Sequence, residues 1–276
     1  MKTMRLLGRD IRNGIIAKWY LFLIPVLFAV TQTYELHNYL QSLLANNTMF
    51  VQGTIGDYIL FVMKGMEVFY FDPRETFLIP VYWFAFQIGL AYMVAYYAYD
   101  DFTVNGRVIF IAAGSRKQWW ISKFLYCILA GVLYFVVCAA TICICAKCYG
   151  AYMSLDTTTA LMMHIYPTTS VGLDQWEIMF ISVLLPVLVS VAISQIQVLM
   201  GFLINPVVSF AVVCAMYILS AYYTTWYLAG SYTMWLRSSY IVADGLNPMS
   251  GALIAGGLMF AALVGGLMYF DNKDVL

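Results

Sequence analysis

Residues 100–126 read DDFTVNGRVIFIAAGSRKQWWISKFLY, a polar and basic stretch between two long apolar runs. Its basic residues are Arg107, Arg116, Lys117 and Lys123. Gly114 and Ser115 predict a turn, which follows a short amphipathic helix over residues 102–112 and precedes a basic, aromatic start of the next apolar run. We therefore expect a structured loop between two membrane spans, carrying the positive charge that is typical of a cytosolic loop.

The composition of the whole chain indicates a membrane protein. Its 276 residues are 63% hydrophobic and only 10% charged, against about 25% charged in soluble domains. Several apolar runs exceed the roughly 18 residues that predict a spanning helix. We expect an all-α polytopic membrane protein, a single transmembrane domain over residues 1–276 with six transmembrane helices. The predicted spans cover about residues 18–33, 77–99, 121–148, 176–203, 206–223 and 249–270.

The positions of the basic residues predict the orientation of these spans. With six spans, both termini share one side of the membrane, and basic residues favour the inner side. If the termini lie inside, ten Lys and Arg residues are inner: Lys2, Arg5, Arg9, Arg12, Lys18, Arg107, Arg116, Lys117, Lys123 and Lys273. Only four are outer: Lys64, Arg74, Lys147 and Arg237. We therefore predict an N-in, C-in topology.

Two amphipathic segments are expected to lie on the membrane surface. In the N-terminal segment, residues 4–18, Arg5, Arg9 and Arg12 fall on one side of a helix. Met4, Leu7, Ile11 and Ile15 fall on the other, which predicts an interfacial helix on the inner side. Residues 56–71 predict a second such helix on the outer side, because Asp57, Lys64 and Glu67 form a charged stripe that would be costly at bilayer depth.

Three features within the spans are expected to serve packing. Gly257, Ala261 and Gly265 recur at four-residue spacing in the last span, which favours close helix packing inside the subunit over a dimer face. Gln195 and Gln197 in the fourth span could form hydrogen bonds across helices or lie near the cytosolic surface of the membrane, and the second position is preferred. The cysteines at 143, 145 and 148 have no His or acidic residue beside them, so small packing residues are favoured over a metal site.

The sequence excludes several classes of function. A formal net charge of zero predicts no nucleic-acid partner. The phosphate-binding motif G-x-x-x-x-G-K-[ST], H-E-x-x-H and G-x-S-x-G are absent, so we expect no ATP hydrolysis, catalytic residue, cofactor or metal in this chain. The predicted spans hold essentially no acidic residue or histidine, which argues against an ion-coupled carrier.

The layout of spans and the inner loop resemble the ABC-2 type permeases, the membrane subunits of ABC exporters. The local resemblance rests on an acidic span end, a glycine, a short apolar helix over residues 108–112, a turn with Ser and Arg, and a Lys that opens the next span. These positions are Asp100, Asp101, Gly106, Gly114, Ser115, Arg116 and Lys123. The family usually has a proline in the turn where Gly114 or Ser115 stands. The resemblance covers the whole chain in topology and only this loop in sequence.

The resemblance implies partners and a site. It implies that the loop helix is a coupling helix seated in a cleft of a separate ATPase subunit, present in two copies and carrying ATP and Mg. The implied contact residues are Phe102, Gly106, Arg107, Val108, Ile109 and Ile111, with Gly114, Ser115, Arg116 and Lys123 forming the turn and the start of the third span. It also implies a second permease chain, as a homodimer or heterodimer, in the lipid of the bacterial cytoplasmic membrane. The expected cargo is an amphipathic peptide, a drug or a lipid-like molecule.

Two other classes of function stay open at the level of sequence. A scaffold, sensor or immunity protein of the membrane would share the same helices without a transport cycle. An intramembrane enzyme would need a nucleophile or an acid pair in a span, and none stands out. An ATPase partner distinguishes the exporter from the scaffold.

Overall fold

The computed structural model describes residues 2–45, 52–71, 76–103, 115–158, 161, 165 and 174–272. In this part of the chain the regular structure is helical, and two isolated bridges, Thr54 with Tyr152 and Ser238 with Leu246, are the only β pairing. The helices are α1 Lys2–Asp10, α2 Leu23–Ala45, α3 Ile55–Val62, α4 Val81–Ala95, α5 Arg116–Cys148, α6 Gln175–Leu203, α7 Pro206–Tyr222 and α8 Pro248–Asn272. The all-α prediction is thus confirmed for the described residues.

Four of these helices are long and apolar enough to cross a membrane. They cover Trp19–Ala45, Arg116–Cys148, Gln175–Leu203 and Pro248–Asp271. The chain is therefore a helical, membrane-embedded protein. A count of six spans further requires α4, which a turn at Tyr96 separates from a helical stretch over residues 97–103, and the shorter apolar helix α7 to cross as well; six spans and their orientation remain predictions.

The six longest helices alternate in direction, as their end contacts show. At one end the start of α5 meets the end of α8 through an ion pair of 3.1 Å between Lys117 and Asp271. The Phe202 ring near the end of α6 lies at the same end, 5.2 Å from the Phe270 ring of α8. At the other end, His37 of α2 stacks on Tyr149 after α5, with ring centroids 4.2 Å apart. The end with Lys117 and Asp271 also holds α1 and is called the N-terminal end below. The end with His37 and Tyr149 is called the opposite end.

Helix α2 continues well past the predicted span end at residue 33. It reaches Ala45, because Leu36, Leu40 and Leu43 recur at helical spacing and are all buried. That apolar stripe packs on α3 and α5, so three further turns are held by tertiary burial. The predicted outer loop from residue 35 is in this part a helix.

The prediction of one surface helix over residues 56–71 is wrong. Helix α3 ends at Val62, and Gly65 follows with a positive φ of 69°, which stops the helix. Seven of the eight residues of α3 are buried. Asp57, expected on a charged stripe, instead closes a capping box with Thr54 and accepts hydrogen bonds from the backbone and hydroxyl of Thr158, both at 2.8 Å.

Polar side chains connect helices inside the bundle. The Gln87 carbonyl oxygen of α4 accepts hydrogen bonds from Ser190 of α6 at 2.8 Å and from Tyr217 of α7 at 3.2 Å. The Gln197 amide of α6 donates to the Ala91 carbonyl at 3.1 Å. Gln195 and Gln197 are 2% and 0% exposed, and the bond of Gln197 is of the cross-helix kind that the sequence left open; their position near the inner surface of the membrane stays a prediction. In an apolar surrounding such cross-helix bonds fix which helices are neighbours.

Helix α8 packs through a small-residue face that differs from the predicted one. Gly257 has nothing within 4 Å of an added β-carbon, and Gly265 alone of the predicted trio approaches another helix, at Leu199. The buried face instead carries Ala255 and Ala262 at 0% exposure, together with Gly266, against which the Trp120 indole lies so closely that a β-carbon would overlap it. Small residues therefore pack within the subunit, at Ala255, Ala262 and Gly266, and Gly257 of the expected trio faces open space.

Arg237 closes the opposite end of the bundle. Its guanidinium is 0% exposed and donates to four backbone carbonyls, those of Met66 (3.1 Å), Glu67 (3.1 Å), Ser220 (2.5 Å) and Ala221 (2.6 Å). Burial lowers the pKa of Arg237 to about 10. Ser220 and Ala221 belong to the last turn of α7, where the partial negative charge of the helix end stabilises a cation.

Candidate functional site

The predicted coupling site is only partly within the described residues. Gly106, Arg107, Val108, Ile109, Ile111 and Gly114 lie outside them. Phe102, Ser115, Arg116 and Lys123 are described, and they lie on the two sides of the segment 104–114. The structure therefore describes the residues that flank the segment 104–114 on each side, and the geometry given below is that of these flanks.

Lys123 is a buried ion at the centre of this region. Its ammonium donates to Asp10 Oδ1 at 2.6 Å and to Asp101 Oδ2 at 2.5 Å, and its side chain is 0% exposed. The ammonium also lies 4.6 Å from the Tyr97 ring centroid and 5.4 Å from that of Trp119, in cation–π range. Lys123 was expected to open a span as one of several inner basic residues, and it does lie in the second turn of α5. The structure gives it two carboxylate partners that the sequence analysis had not assigned.

Each carboxylate has further donors. Asp101 Oδ2 also accepts from Arg9 Nη2 at 2.9 Å. Asp10 accepts from the Tyr97 hydroxyl at 2.8 Å and from the Ser122 hydroxyl at 2.6 Å. The cluster thus holds two cations and two carboxylates, with no net charge. Charge balance and full hydrogen bonding are what make burial of ions tolerable, and removing one partner from such a group costs roughly 3–5 kcal/mol.

The cluster joins three elements that are distant in sequence. Asp10 ends α1, Asp101 lies in the helical stretch 97–103, and Lys123 belongs to α5. On α5, Trp119, Ser122, Lys123 and Tyr126 share one buried face at helical spacing. Asp101 comes three residues before the segment 104–114 and Lys123 nine residues after it. The buried pair between them therefore ties the two flanks of that segment together and ties both to the N-terminal helix.

The inward face of α1 differs from the predicted one. Leu6, Asp10, Gly14 and Ile15 are buried, whereas Met4 is 71% exposed. The turn Ile11–Ile16 is a π-helix, and in it Gly14 lies against Tyr126, where an added β-carbon would come within 2.6 Å of the ring. The prediction put Leu7, Ile11 and Ile15 on the apolar side of an interfacial helix and overlooked Asp10; in the structure Leu7 and Ile11 are half-buried against the core. The signal was present, since Asp10 lies four residues from both Leu6 and Gly14 and so shares their face.

An aromatic cluster lies beside the ion cluster. Phe102 is half-buried, and its ring centroid lies 5.7 Å from that of Trp119, 5.6 Å from Phe202 and 6.0 Å from Phe270. Trp120 donates from Nε1 to the Leu263 carbonyl at 3.2 Å. These contacts bring the ends of α6 and α8 to the same place. Phe102, predicted to contact a partner, is at least in part occupied inside the chain; whether it also reaches a partner remains a prediction.

Ser115 and Arg116 mark the return of the chain into the bundle. Ser115 has an extended backbone at the N-cap of α5, and its carbonyl accepts from the Trp119 amide at 3.3 Å. Arg116 is half-buried in the first turn of α5, and Lys117 beside it forms the exposed pair with Asp271. Exposed pairs of this kind contribute about 0–1 kcal/mol, so the buried cluster dominates the local energetics.

Of the three cysteines expected to serve packing, Cys143 and Cys145 are half-buried and Cys148 is exposed, so their packing role stays a prediction. All six are free, and Cys127 and Cys138 are buried. Within the described residues, no group of three or more His, Cys, Asp or Glu side chains could hold a metal ion. What the described site offers is the positioning of buried charges.

Comparison with known proteins finds no relative of this chain. No family model matches it, no curated protein matches it, and no solved structure matches it. A functional proposal therefore depends on the cluster of Asp10, Asp101 and Lys123, on the segment that this cluster brackets, and on the resemblance in the inner loop.

Proposed function

We propose that this chain is the membrane subunit of an ABC exporter, driven by separate ATPase subunits that press on the segment 104–114. The single observation that carries the proposal is the buried pair of Asp101 and Lys123, which fastens both flanks of that segment to α1. A loop that must transmit force needs anchored ends, because a loop with free ends absorbs a displacement by flexing. The proposal assigns ATP and Mg to the partner, in keeping with a sequence that carries no phosphate-binding motif.

The cluster supplies a route for such a displacement. A push on the segment 104–114 acts first on Asp101 and on the start of α5, and the bonds of Lys123 couple both to Asp10. Because breaking one bond leaves a buried unpaired charge, at a cost of roughly 3–5 kcal/mol, the three elements move together more easily than apart. The aromatic cluster around Phe102 links these three elements to the ends of α6 and α8.

The proposed assembly has two permease chains, identical or related, and two ATPase subunits, in the bacterial cytoplasmic membrane. The cargo class is an amphipathic peptide, a drug or a lipid-like molecule. The alternative is a scaffold, sensor or immunity protein that never engages an ATPase.

Partner binding tests the proposal. An ATPase chain encoded next to this one is co-expressed with it, and Ile109→Asp and Arg107→Glu are compared with Arg12→Glu, an exposed basic residue of α1 at the same end. We expect both loop variants to reach the membrane in normal yield and to lose co-purification of the ATPase, with Arg12→Glu unaffected. The purified chain alone should hydrolyse no ATP. Loss of the folded membrane protein with the loop changes, or no ATPase bound to the wild type, would refute coupling and favour the scaffold.

Orientation is tested separately. In a background without cysteines, a cysteine at position 45 or 160 should react with a membrane-impermeant maleimide added outside, and one at position 105 should not; residues 105 and 160 lie outside the described part of the structure. Modification of position 105 from outside would invert the topology and remove the basis for an inner coupling loop.

A further inference from the structure

A cavity of about 170 Å³ lies at the opposite end of the bundle, between α2 and the start of α4. Phe28, Gln32 and Glu35 of α2 form one wall, and residues 80–83 form another. Val62, Lys64 and Gly65 close it from the end of α3. The cavity is smaller than the 300–1,000 Å³ that is typical of sites for drug-sized ligands. It is therefore suited to a small polar group and not to a whole drug.

The walls carry one positive and one negative charge that are not paired with each other. No ion pair within 4.0 Å among the described residues includes Lys64, whose ammonium lies 3.6 Å from the Phe61 ring centroid. Burial lowers the pKa of Lys64, and the charges of Glu35 and Glu67 act in the opposite direction. The Glu35 carboxylate accepts one hydrogen bond, from the Gln32 amide at 3.0 Å, and is otherwise exposed. A half-buried ammonium that makes no ion pair within 4.0 Å among the described residues, and a carboxylate with free lone pairs, are complementary to a zwitterion.

A second cavity repeats this pattern at the N-terminal end of the same two helices. It measures about 270 Å³ and is lined by Lys18, Tyr20, Leu21, Tyr92, Tyr96 and Asp100, again one lysine and one carboxylate with aromatic rings. Lys18 directly precedes the helical stretch Trp19–Ala45, and Glu35 follows 17 residues later, roughly 25 Å away at about 1.5 Å per residue. That separation is close to the roughly 30 Å of a bilayer hydrocarbon core. The proposal below therefore assigns the two cavities to the two headgroup layers.

The surface beside the cavity at the opposite end carries exposed apolar side chains. On α2, Leu27 is 63% and Tyr34 57% exposed; on α4, Val81 is 68% and Tyr82 54% exposed. Tyr82 also lines the cavity, so the cavity is continuous with this surface. A ligand that places a zwitterion in the cavity can therefore lay a hydrocarbon chain along the seam between α2 and α4.

We propose that the cavity at the opposite end binds a phospholipid with an ammonium–phosphate headgroup, its phosphate at Lys64, its ammonium at Glu35 and its chains along the α2–α4 seam. A primary ammonium fits better than a quaternary one, because the Glu35 carboxylate needs N–H donors to make hydrogen bonds. The inference does not depend on the exporter proposal, since a scaffold could hold the same lipid.

Native mass spectrometry of the delipidated, full-length protein in detergent tests the site. Phosphatidylethanolamine, phosphatidylcholine and phosphatidylglycerol of the same chain length are titrated, together with soluble glycerophosphoethanolamine. We expect phosphatidylethanolamine to bind most tightly and the soluble compound at least about tenfold more weakly than the lipid, because it lacks the chains. Equal binding of the soluble compound would identify a site for a free zwitterion and overturn the lipid proposal.

Two substitutions distinguish the role of Lys64, proposed to bind the phosphate, from that of Glu35, proposed to bind the ammonium. Lys64→Gln should weaken all three lipids about tenfold, the effect of losing one charge-assisted hydrogen bond. Glu35→Gln should abolish the preference for phosphatidylethanolamine over phosphatidylglycerol and leave phosphate binding intact. Lys147→Gln and Asp244→Asn, exposed residues at the same end, serve as matched controls. Equal effects of the control variants, a headgroup preference that survives Glu35→Gln, or a preference for phosphatidylcholine would each refute the assignment. Glu35 is exposed, so its variant decides the matter even if Lys64→Gln fails to fold.

Discussion

Replacing Lys123 by methionine should destabilise the folded protein more than any other single loss of a basic residue at the N-terminal end. The methionine fills a similar volume and removes the two bonds of 2.6 and 2.5 Å to Asp10 and Asp101. The cluster is neutral in the wild type and would carry one net negative charge in a place where both carboxylates are 5% exposed or less. Leaving a buried charge without its partner costs roughly 3–5 kcal/mol.

A second change distinguishes this electrostatic cause from a loss of packing. Adding Asp10→Asn to Lys123→Met restores neutrality, because the pair of Arg9 and Asp101 at 2.9 Å remains. The double variant should therefore be more stable than Lys123→Met alone, although it lacks one more native group. Lys117→Met is the control: its pair with Asp271 is about half exposed on both sides and contributes about 0–1 kcal/mol.

Cysteine accessibility supplies the assay. In a background that keeps only Cys127 and Cys138, which are 1% and 0% exposed, a fluorogenic maleimide reports the thermal opening of α5 itself. At roughly 2–4 °C per kcal/mol for a chain of this size class, Lys123→Met should lower Tm by about 6 °C or more. A shift no larger than that of Lys117→Met, or a double variant less stable than the single one, would refute the assignment of a buried charge cluster.

Three further predictions concern other parts of the fold. Gly266→Ala should lower Tm in the same assay by more than Gly257→Ala, because a β-carbon at 266 overlaps the Trp120 indole and one at 257 meets open space; equal shifts would contradict the packing of α8. Arg237→Met should cost about 3 kcal/mol or more, since four carbonyls lose their donor, and limited proteolysis should then cut the segment 223–247 sooner. Burial, with the charges of Tyr149 and Asp57, raises the pKa of Tyr58 to about 12 from 10.0. The stability that the neutral Tyr58 side chain contributes is therefore complete below pH 10 and is lost as pH rises toward about 12. Tyr58→Phe should make the decline of Tm between pH 10 and about pH 12 less steep.

The helices were predictable from the sequence because each is long and apolar. The observed bounds of α5 to α8 lie within a few residues of the predicted spans, except that α5 begins at Arg116 instead of near residue 121. The predicted span left out the basic and aromatic residues before position 121, whereas Trp119 and Trp120 pack against Phe202 and Phe270 and belong to the helix. Contacts of this kind join residues that are distant in sequence, so they cannot be predicted from a local stretch of sequence.

The ion cluster could be predicted only in part. Lys123 and Asp101 were singled out as inner-loop residues, which was sound because charges near an apolar run are few. The pairing of Lys123 with Asp10 joins positions 113 residues apart and depends on how α1 packs against α5. Such a long-range contact is not encoded in the local periodicity of either helix.

The partner of Lys123 has a consequence for how the chain is made. Asp10 leaves the ribosome 113 residues before Lys123, a delay of roughly 6 to 23 s at 5–20 residues per second. During that interval α1 has no cation in α5 to meet, so Asp10 stays hydrated at the membrane surface, where an isolated carboxylate is tolerated. The N-terminal helix is thus synthesised first and docked late, and its arrival registers that α5 has been inserted in the correct direction.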